Sequence, residues 1–336
     1  MSKLSLNVDS QRSLALVVEA YGEPQSVSVK SVARAKLVVG QVRVAVRASG
    51  VNFADVMAIR GQHQNTPPVP FTPGFECAGE VIEVASDVKK FQVGDKVVVA
   101  FGHGSHQAEA IAPVTQVFPI PANMDFSTAA AFPVAFGTAY TALKLRAALR
   151  PGETLLVTGG TGNIGSSAVQ VGKLIGARVI GSSRGEHSVA SLKDLGADYT
   201  IVSSKENVRE RVLEITAGRG VDVVFDPVLG STFTDVLAAI APLGRYIPIG
   251  ASSGDIPEIS LLMPLMKNIS VVGVDWDWHL HHDLPFVEEA MTTLLSWFGR
   301  GWLKPQPVQV KKLAEAAAVL TAVAQGTAHG KQILLP

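Results

Sequence analysis

Between residue 14 and about residue 116 the apolar positions come in short β-rich runs, at 14–18, 41–48, 77–84 and 96–100. Turns rich in Gly, Pro and Asp, such as Val93-Gly94-Asp95, separate them, which is the punctuation of a compact, partly barrelled β domain. Pro119, Pro121 and Asn123 then mark a break. A helical stretch over 127–132 follows, with Ser127 as its expected N-cap. Beyond it, apolar runs at 154–157, 178–181, 199–202, 221–225, 245–249 and 269–274 alternate with helical patterns. That rhythm predicts a doubly wound, six-stranded parallel sheet of the Rossmann kind. Helices are expected at 284–298 and 312–324, and a last strand at 332–335. The tail has no room for a sheet of its own, so it is expected to rejoin the first domain. The chain thus reads as α/β, with one domain over 1–126 completed by 275–336 and a second over 127–274. Residues 1–12 read as a flexible lead-in.

A length of 336 residues fits two domains. Composition adds exclusions. Lys plus Arg and Asp plus Glu number 29 each, so no global field attracts nucleic acid or an acidic membrane. The single cysteine, Cys77, leaves no intrachain disulfide and no Cys-rich metal cluster, which fits a reducing compartment. No apolar run approaches the ~20 residues that span a bilayer. The opening residues lack the apolar core of a secretory signal. The expected location is cytoplasmic, with a trimmed mitochondrial leader as the alternative.

The strongest local motif is the run from Gly159 through Gly160, Thr161, Gly162, Asn163 and Ile164 to Gly165, preceded by an apolar strand and followed by a helix. Gly160, Gly162 and Gly165 form G-x-G-x-x-G, whose backbone N–H groups meet a pyrophosphate at the helix N-terminus. Gly172 and Gly176 are expected to let that helix lie close to the sheet. The next strand ends Gly181-Ser182-Ser183-Arg184, where NAD sites usually carry Asp or Glu for the ribose diol. Two hydroxyls and a guanidinium suit a 2′-phosphate, so NADP(H) is the expected cofactor. Glu186 lies slightly beyond, so NAD is disfavoured rather than excluded.

Further segments carry a family resemblance: Gly50-Val51-Asn52-Phe53-Ala54-Asp55-Val56-Met57, Pro73-Gly74-Phe75-Glu76-Cys77-Ala78-Gly79, Val93-Gly94-Asp95-Lys96-Val97, Gly137-Thr138-Ala139-Tyr140-Thr141-Ala142-Leu143 and Leu195-Gly196-Ala197-Asp198. With the glycine loop, they resemble the zinc-independent quinone oxidoreductases of the medium-chain dehydrogenase/reductase superfamily. The resemblance implies a GroES-like first domain. Zinc-dependent relatives carry Cys where Asn52 stands and His where Phe75 stands, so no metal is expected. The resemblance places the nicotinamide near Asn52 and Thr138, lined by Asp226, Pro227 and Val228 and by Gly250, Ala251 and Ser252. Gly330 and Lys331 resemble the family's last cofactor contact. Ser203 stands where relatives often carry a tyrosine that helps hold the 2′-phosphate.

The resemblance gives a substrate wall of Met57, His63, Phe75, Phe136 and Trp276. Relatives often carry tyrosines at the positions of Met57 and His63. His279, His281 and His282 lack the spacing of a ligand set and read as a loop. The expected reaction is NADPH-dependent reduction of a small-molecule quinone or conjugated enone, with Asn52 polarising the carbonyl and water or His63 supplying a proton. Alternatives are an NADPH-binding structural or regulatory protein, a 2-alkenal or enoyl-thioester reductase, and an alcohol dehydrogenase, which zinc would reveal. The run 269–274 reads as an apolar sheet edge, hence an expected homodimer.

Overall fold

Alternation of buried and exposed positions organises the first stretch of the chain; the computed structural model describes residues 11–336. It runs β1 (Arg12–Val17), β2 (Ser28–Ala33), β3 (Gln41–Gly50), α1 (Phe53–Ile59), β4 (Glu76–Val84), β5 (Lys96–Ala100), β6 (Glu109–Pro113), β7 (Val117–Pro119) and α2 (Phe126–Ala130). The middle stretch holds α3 (Pro133–Tyr140), β8 (Thr154–Val157), α4 (Asn163–Ile175), β9 (Arg178–Ser183), α5 (Ser188–Asp194), β10 (Tyr199–Val202), α6 (Val208–Ile215) and β11 (Val221–Asp226). It continues with α7 (Phe233–Ala238), β12 (Ile240–Pro248), α8 (Leu262–Lys267), β13 (Ser270–Val271) and α9 (Trp276–His282). The tail adds α10 (Leu284–Gly299), β14 (Val308–Lys312), α11 (Ala316–Ala324) and β15 (Lys331–Leu335).

Two units result. The first takes the chain through Val134 together with His279–Gly299 and Pro307–Pro336. The second takes Ala135–Trp278 and Arg300–Gln306. The division after Val134 falls later than the change of pattern at residue 127 because α2 stays with the β strands. Its N-cap is Asp125 rather than Ser127: the carboxylate accepts Thr128 N at 2.9 Å and Thr128 Oγ1 at 2.7 Å. An ionised acceptor with two oxygens takes both donors at once.

In the first unit, β14-β15-β3-β4-β5-β7 form one sheet, with β6 also on β3, while β1 and β2 pair separately. Every pairing in the larger sheet is antiparallel except β14 with β15. One core packs Val42, Val44, Val81, Val97 and Val99 inside this sheet, and another packs Val56, Phe71 and Phe75 with α11. Arg12 already pairs with Ala33, so the lead-in ends before it; the rest of that expected segment, residues 1–10, lies outside the described residues.

The second unit holds the parallel sheet in the order β10-β9-β8-β11-β12-β13. β8 is buried along its whole length, as expected for a strand covered on both faces. Its fifth strand begins at Ile240, earlier than the pattern indicates, because a register shift lets Val221 pair with Ile240 before Val223 pairs with Arg245. The sixth shrinks to Ser270–Val271, the two residues that find partners on β12. Trp276, His279, His281 and His282 lie on helix α9, not in a loop. No helix among the described residues is long and apolar enough to cross a membrane.

Candidate active site

The glycine loop joins β8 to α4 in the second unit. Gly159 adopts φ +54°, a left-handed turn that suits glycine. Gly165 sits so close to the loop that a Cβ there would lie 2.2 Å from Gly159 O. Gly160 N donates to Ser182 O at 2.8 Å, and Gly162 caps the start of α4. As at every helix start, the N–H groups of Asn163, Ile164 and Gly165 have no intrahelical acceptor, an arrangement whose chemistry suits an anion. A Cβ at Gly172 would press Leu155 at 2.5 Å, which sets α4 close on β8. Gly176 acts differently, ending the helix in the left-handed conformation at φ +99°.

Thr161 Oγ1 and Ser183 Oγ lie 3.0 Å apart, so the loop and the end of β9 make one polar surface. Ser203 Oγ reaches Ser183 O at 3.3 Å from the neighbouring strand end. Arg184 is exposed beside them. Glu186, the nearest carboxylate along the chain, is paired with Lys205 at 2.6 Å.

Asp226 ends β11 fully buried. Its Oδ1 accepts Val228 N and Leu229 N at 3.0 Å each and also takes Thr158 Oγ1, while Tyr246 OH donates to Oδ2 at 2.8 Å. Burial, together with the Asp226 charge, pushes the Tyr246 phenol well above its ordinary range. Asp226 therefore shapes the turn that presents Pro227 and Val228, both half-buried. Gly250, Ala251 and Ser252 follow β12 at the same end of the sheet. Thr138 is half-buried on α3, whereas Phe136 is buried in the core. Trp276 is buried too, and its indole fills the space that a side chain at Gly137 would take.

The first unit contributes a buried polar cluster. The Lys331 ammonium lies 2.5 Å from Glu76 Oε1 and 2.7 Å from Asn52 Oδ1. Asn52 Nδ2 donates to Glu76 Oε1 at 2.9 Å, and Val134 N donates to Glu76 Oε2 at 2.8 Å. Asn52 also opens α1, where its N–H reaches Asp55 Oδ2 at 2.6 Å. Behind it lie buried His106, with Nε2 at 3.5 Å from Asp55, and Ser49, 2.9 Å from His106 Nδ1. Cys77, next to Glu76, is buried, and burial and the Glu76 charge push its thiol up, so it stays protonated.

Phe75 is buried in the core beside this cluster, and His63 stacks edge-on against it with centroids 5.0 Å apart. Asn65 N donates to His63 Nδ1 at 3.3 Å, so in the neutral ring the proton sits on Nε2. Met57 is half-buried on α1. Among the described residues no three His, Cys, Asp or Glu side chains gather as a metal site. Sequence reasoning missed the pairing of Lys331 with Glu76, 255 residues apart, and the His106–Asp55–Ser49 group. No local spacing signals such pairs; the registers of β15 and β4 on β3 bring Lys331 to Glu76, while backbone bonds from Leu16 N to His106 O and from His106 N to Pro73 O hold His106 in place.

A Rossmann-type unit with an anion-ready glycine loop, joined to a β unit with a buried polar cluster, defines a two-domain oxidoreductase architecture. The sequence profile described as an alcohol dehydrogenase GroES-like domain matches residues 39–122, and the one described as zinc-binding dehydrogenase matches residues 163–289. The quinone oxidoreductase-like protein 2 homolog of Nematostella vectensis is 41% identical over 79% of this chain and 73% of its own length. The quinone oxidoreductase of Escherichia coli, solved in complex with NADPH, superimposes with a TM-score of 0.86 at 26% identity, covering 96% of this chain and 100% of that one. The CurK enoyl reductase gives a TM-score of 0.86 at 28% identity, over 96% and 99%. The chain belongs to the quinone oxidoreductase-like proteins of the medium-chain dehydrogenase/reductase superfamily, a family of nicotinamide-cofactor enzymes, and is an oxidoreductase.

Proposed function

We propose that the chain uses NADP(H) to reduce a quinone or the β-carbon of an electron-poor enone by direct hydride transfer, without a metal. The observation that carries the reading is the end of β9: Ser182 and Ser183 meet the glycine loop, the exposed Arg184 follows them directly, and the nearby Glu186 carboxylate is already paired to Lys205. A dianionic 2′-phosphate fits hydroxyls and a guanidinium there and meets no bare carboxylate.

The residues present fit the cofactor. Gly159–Gly165 and the α4 N-terminus would hold the pyrophosphate, with Ser182, Ser183, Arg184 and Ser203 around the 2′-phosphate. Thr138, Pro227, Val228, Gly250, Ala251 and Ser252 would border the nicotinamide, on a turn that Asp226 braces. When bound, NADPH supplies the hydride. Asn52 is the donor toward the acceptor oxygen, and His63 Nε2 or water returns a proton. Met57, His63, Phe75, Phe136 and Trp276 supply the apolar wall, Phe136 from within the core. Metal independence is supported by donor chemistry: Asn52 and Glu76 are both engaged by Lys331, and Cys77 is a buried thiol.

The E. coli structure supports NADPH and the CurK structure supports an enone acceptor, each by similarity. The reading includes a cytoplasmic homodimer formed along β13. There Val271 is exposed at the sheet edge, and Leu261, Leu262, Leu265 and Met266 lie exposed in and beside α8. The test is steady-state NADPH oxidation against a panel of quinones and enones, with metal analysis of the same preparation. Acceptor-dependent oxidation without bound zinc is expected. Tight NADPH binding with no turnover on either class would instead establish the non-catalytic alternative.

A further inference from the structure

Lys331, Glu76 and Asn52 are 3%, 0% and 9% exposed, so the cation between them is held away from water. Burying an ion pair is costly, and well-packed apolar side chains often serve stability as well or better. Stability alone gives this ammonium no reason to be here. Glu76 is fully engaged, with Lys331 and Asn52 on one oxygen and Val134 N on the other. It has no free capacity to act as a base.

The Asn52 amide is different. Its Oδ1 faces the ammonium and its Nδ2 faces the carboxylate, which fixes the orientation of the group, since a flip would set N–H against the cation. One Nδ2–H is committed to Glu76. The other has only Gly50 O, at 3.4 Å, a long and weak contact. That N–H is the donor in the triad able to turn toward a new acceptor. A cation on Oδ1 draws electron density through the conjugated amide and makes the same N–H a stronger donor.

We infer that Lys331 is the resident cation of this reaction centre, a positioning residue that orients Asn52 and polarises its amide toward the acceptor oxygen of the substrate. The inference rests on the hydride-transfer reading above. As hydride adds to the acceptor, an electron pair moves onto that oxygen, which water or His63 later protonates. Lys331 takes no part in the proton transfer. A donor polarised in advance gains most where the charge grows, in the transition state, so the effect falls on kcat rather than on binding. The reading differs from the cofactor contact that resemblance assigns to Lys331, because here the ammonium is turned onto Asn52 and Glu76.

The test compares Lys331→Met with the double variant Lys331→Met/Glu76→Gln. The single variant leaves a buried carboxylate unpaired and melts earlier. The double variant removes both charges and melts near the wild type. A purely structural role would restore kcat along with stability. The inference instead expects kcat of the double variant to stay about 10- to 100-fold low, with the KM for NADPH within about twofold. Full recovery of kcat overturns it, and so does a rise in the KM for NADPH in place of a fall in kcat. A second readout needs no turnover: the Asn52 side-chain amide proton, assigned by NMR, moves upfield in the double variant. An unchanged amide shift overturns the polarisation. If wild-type protein turns over no quinone or enone, the functional reading falls, and the amide shift still decides the role of Lys331.

Discussion

The two polar regions of this molecule are built in opposite ways. In the second unit the glycine loop and the end of β9 combine the N-terminus of α4, the half-buried hydroxyls of Thr161 and Ser183 and the exposed Arg184. In the first unit Lys331, Glu76, Asn52, Asp55 and His106 turn their polar atoms on one another. The first arrangement is the one proposed above to take a charged ligand that brings its own phosphates. The second holds its charges fixed, which suits a region that must orient one amide and admit little water. The difference teaches that a binding surface can be read from local backbone, whereas a preorganised centre depends on contacts between distant parts of the chain.

The largest expected effect comes from closing the outward surface. Gly165→Val places side-chain carbon against Gly159 O, where a Cβ alone would already lie at 2.2 Å. NADPH affinity should fall about 100-fold, ~2.7 kcal/mol, while the circular dichroism spectrum stays that of the wild type. Calorimetric titration measures it, and unchanged affinity would remove the loop from the cofactor site.

Arg184→Asp tests the same surface more narrowly. Losing a charge-assisted bond and adding a like charge should weaken NADPH by about 30-fold, ~2 kcal/mol, and NADH by no more than about threefold. An equal loss for both cofactors refutes the phosphate role.

The smallest effect concerns acid. In the second unit Glu153, Asp222 and Asp198 are paired with Arg245, Arg219 and Lys173. Burial raises these carboxyls, but the hydrogen bonds from their basic partners and from backbone N–H groups outweigh it and leave all three below their ordinary values. A carboxyl lowered in the folded state binds protons more readily once unfolded. Its stabilisation is thus present above the unfolded value, about pH 4, and is lost as pH falls through the folded one. Because the pairs are partly exposed, each contributes no more than ~1 kcal/mol. Urea titrations at about pH 6 and about pH 3 should show a lower midpoint in acid. A midpoint that does not move would mean these pairs add nothing.

The same contrast explains what the amino-acid order revealed. The strand–loop–helix around Gly160, Gly162 and Gly165 and the alternation behind the parallel sheet are local, and both were legible. So were the strands at β3, β4 and β5. The edges were not. β2, β6, β7 and β14 carry short or mostly exposed patterns that resemble loop. α9 was hidden because a seven-residue helix with three histidines has little apolar periodicity. Glu76 stood out only as part of the segment 73–79 that carries the resemblance, since its partner Lys331 arrives on the final strand. The resemblance put Asp226 beside the nicotinamide; that its oxygens also brace the turn carrying Pro227 and Val228 was not legible, because the bonds appear only once the turn is folded.

The central claim is direct hydride transfer from NADPH to a conjugated acceptor, and isotope transfer tests it most directly. NADPH deuterated at the transferable position of the nicotinamide should be oxidised in the presence of a conjugated enone. One deuterium should appear at the β-carbon of the reduced product, with no label lost to water. A product without deuterium, or no product from protein saturated with NADPH, would contradict it.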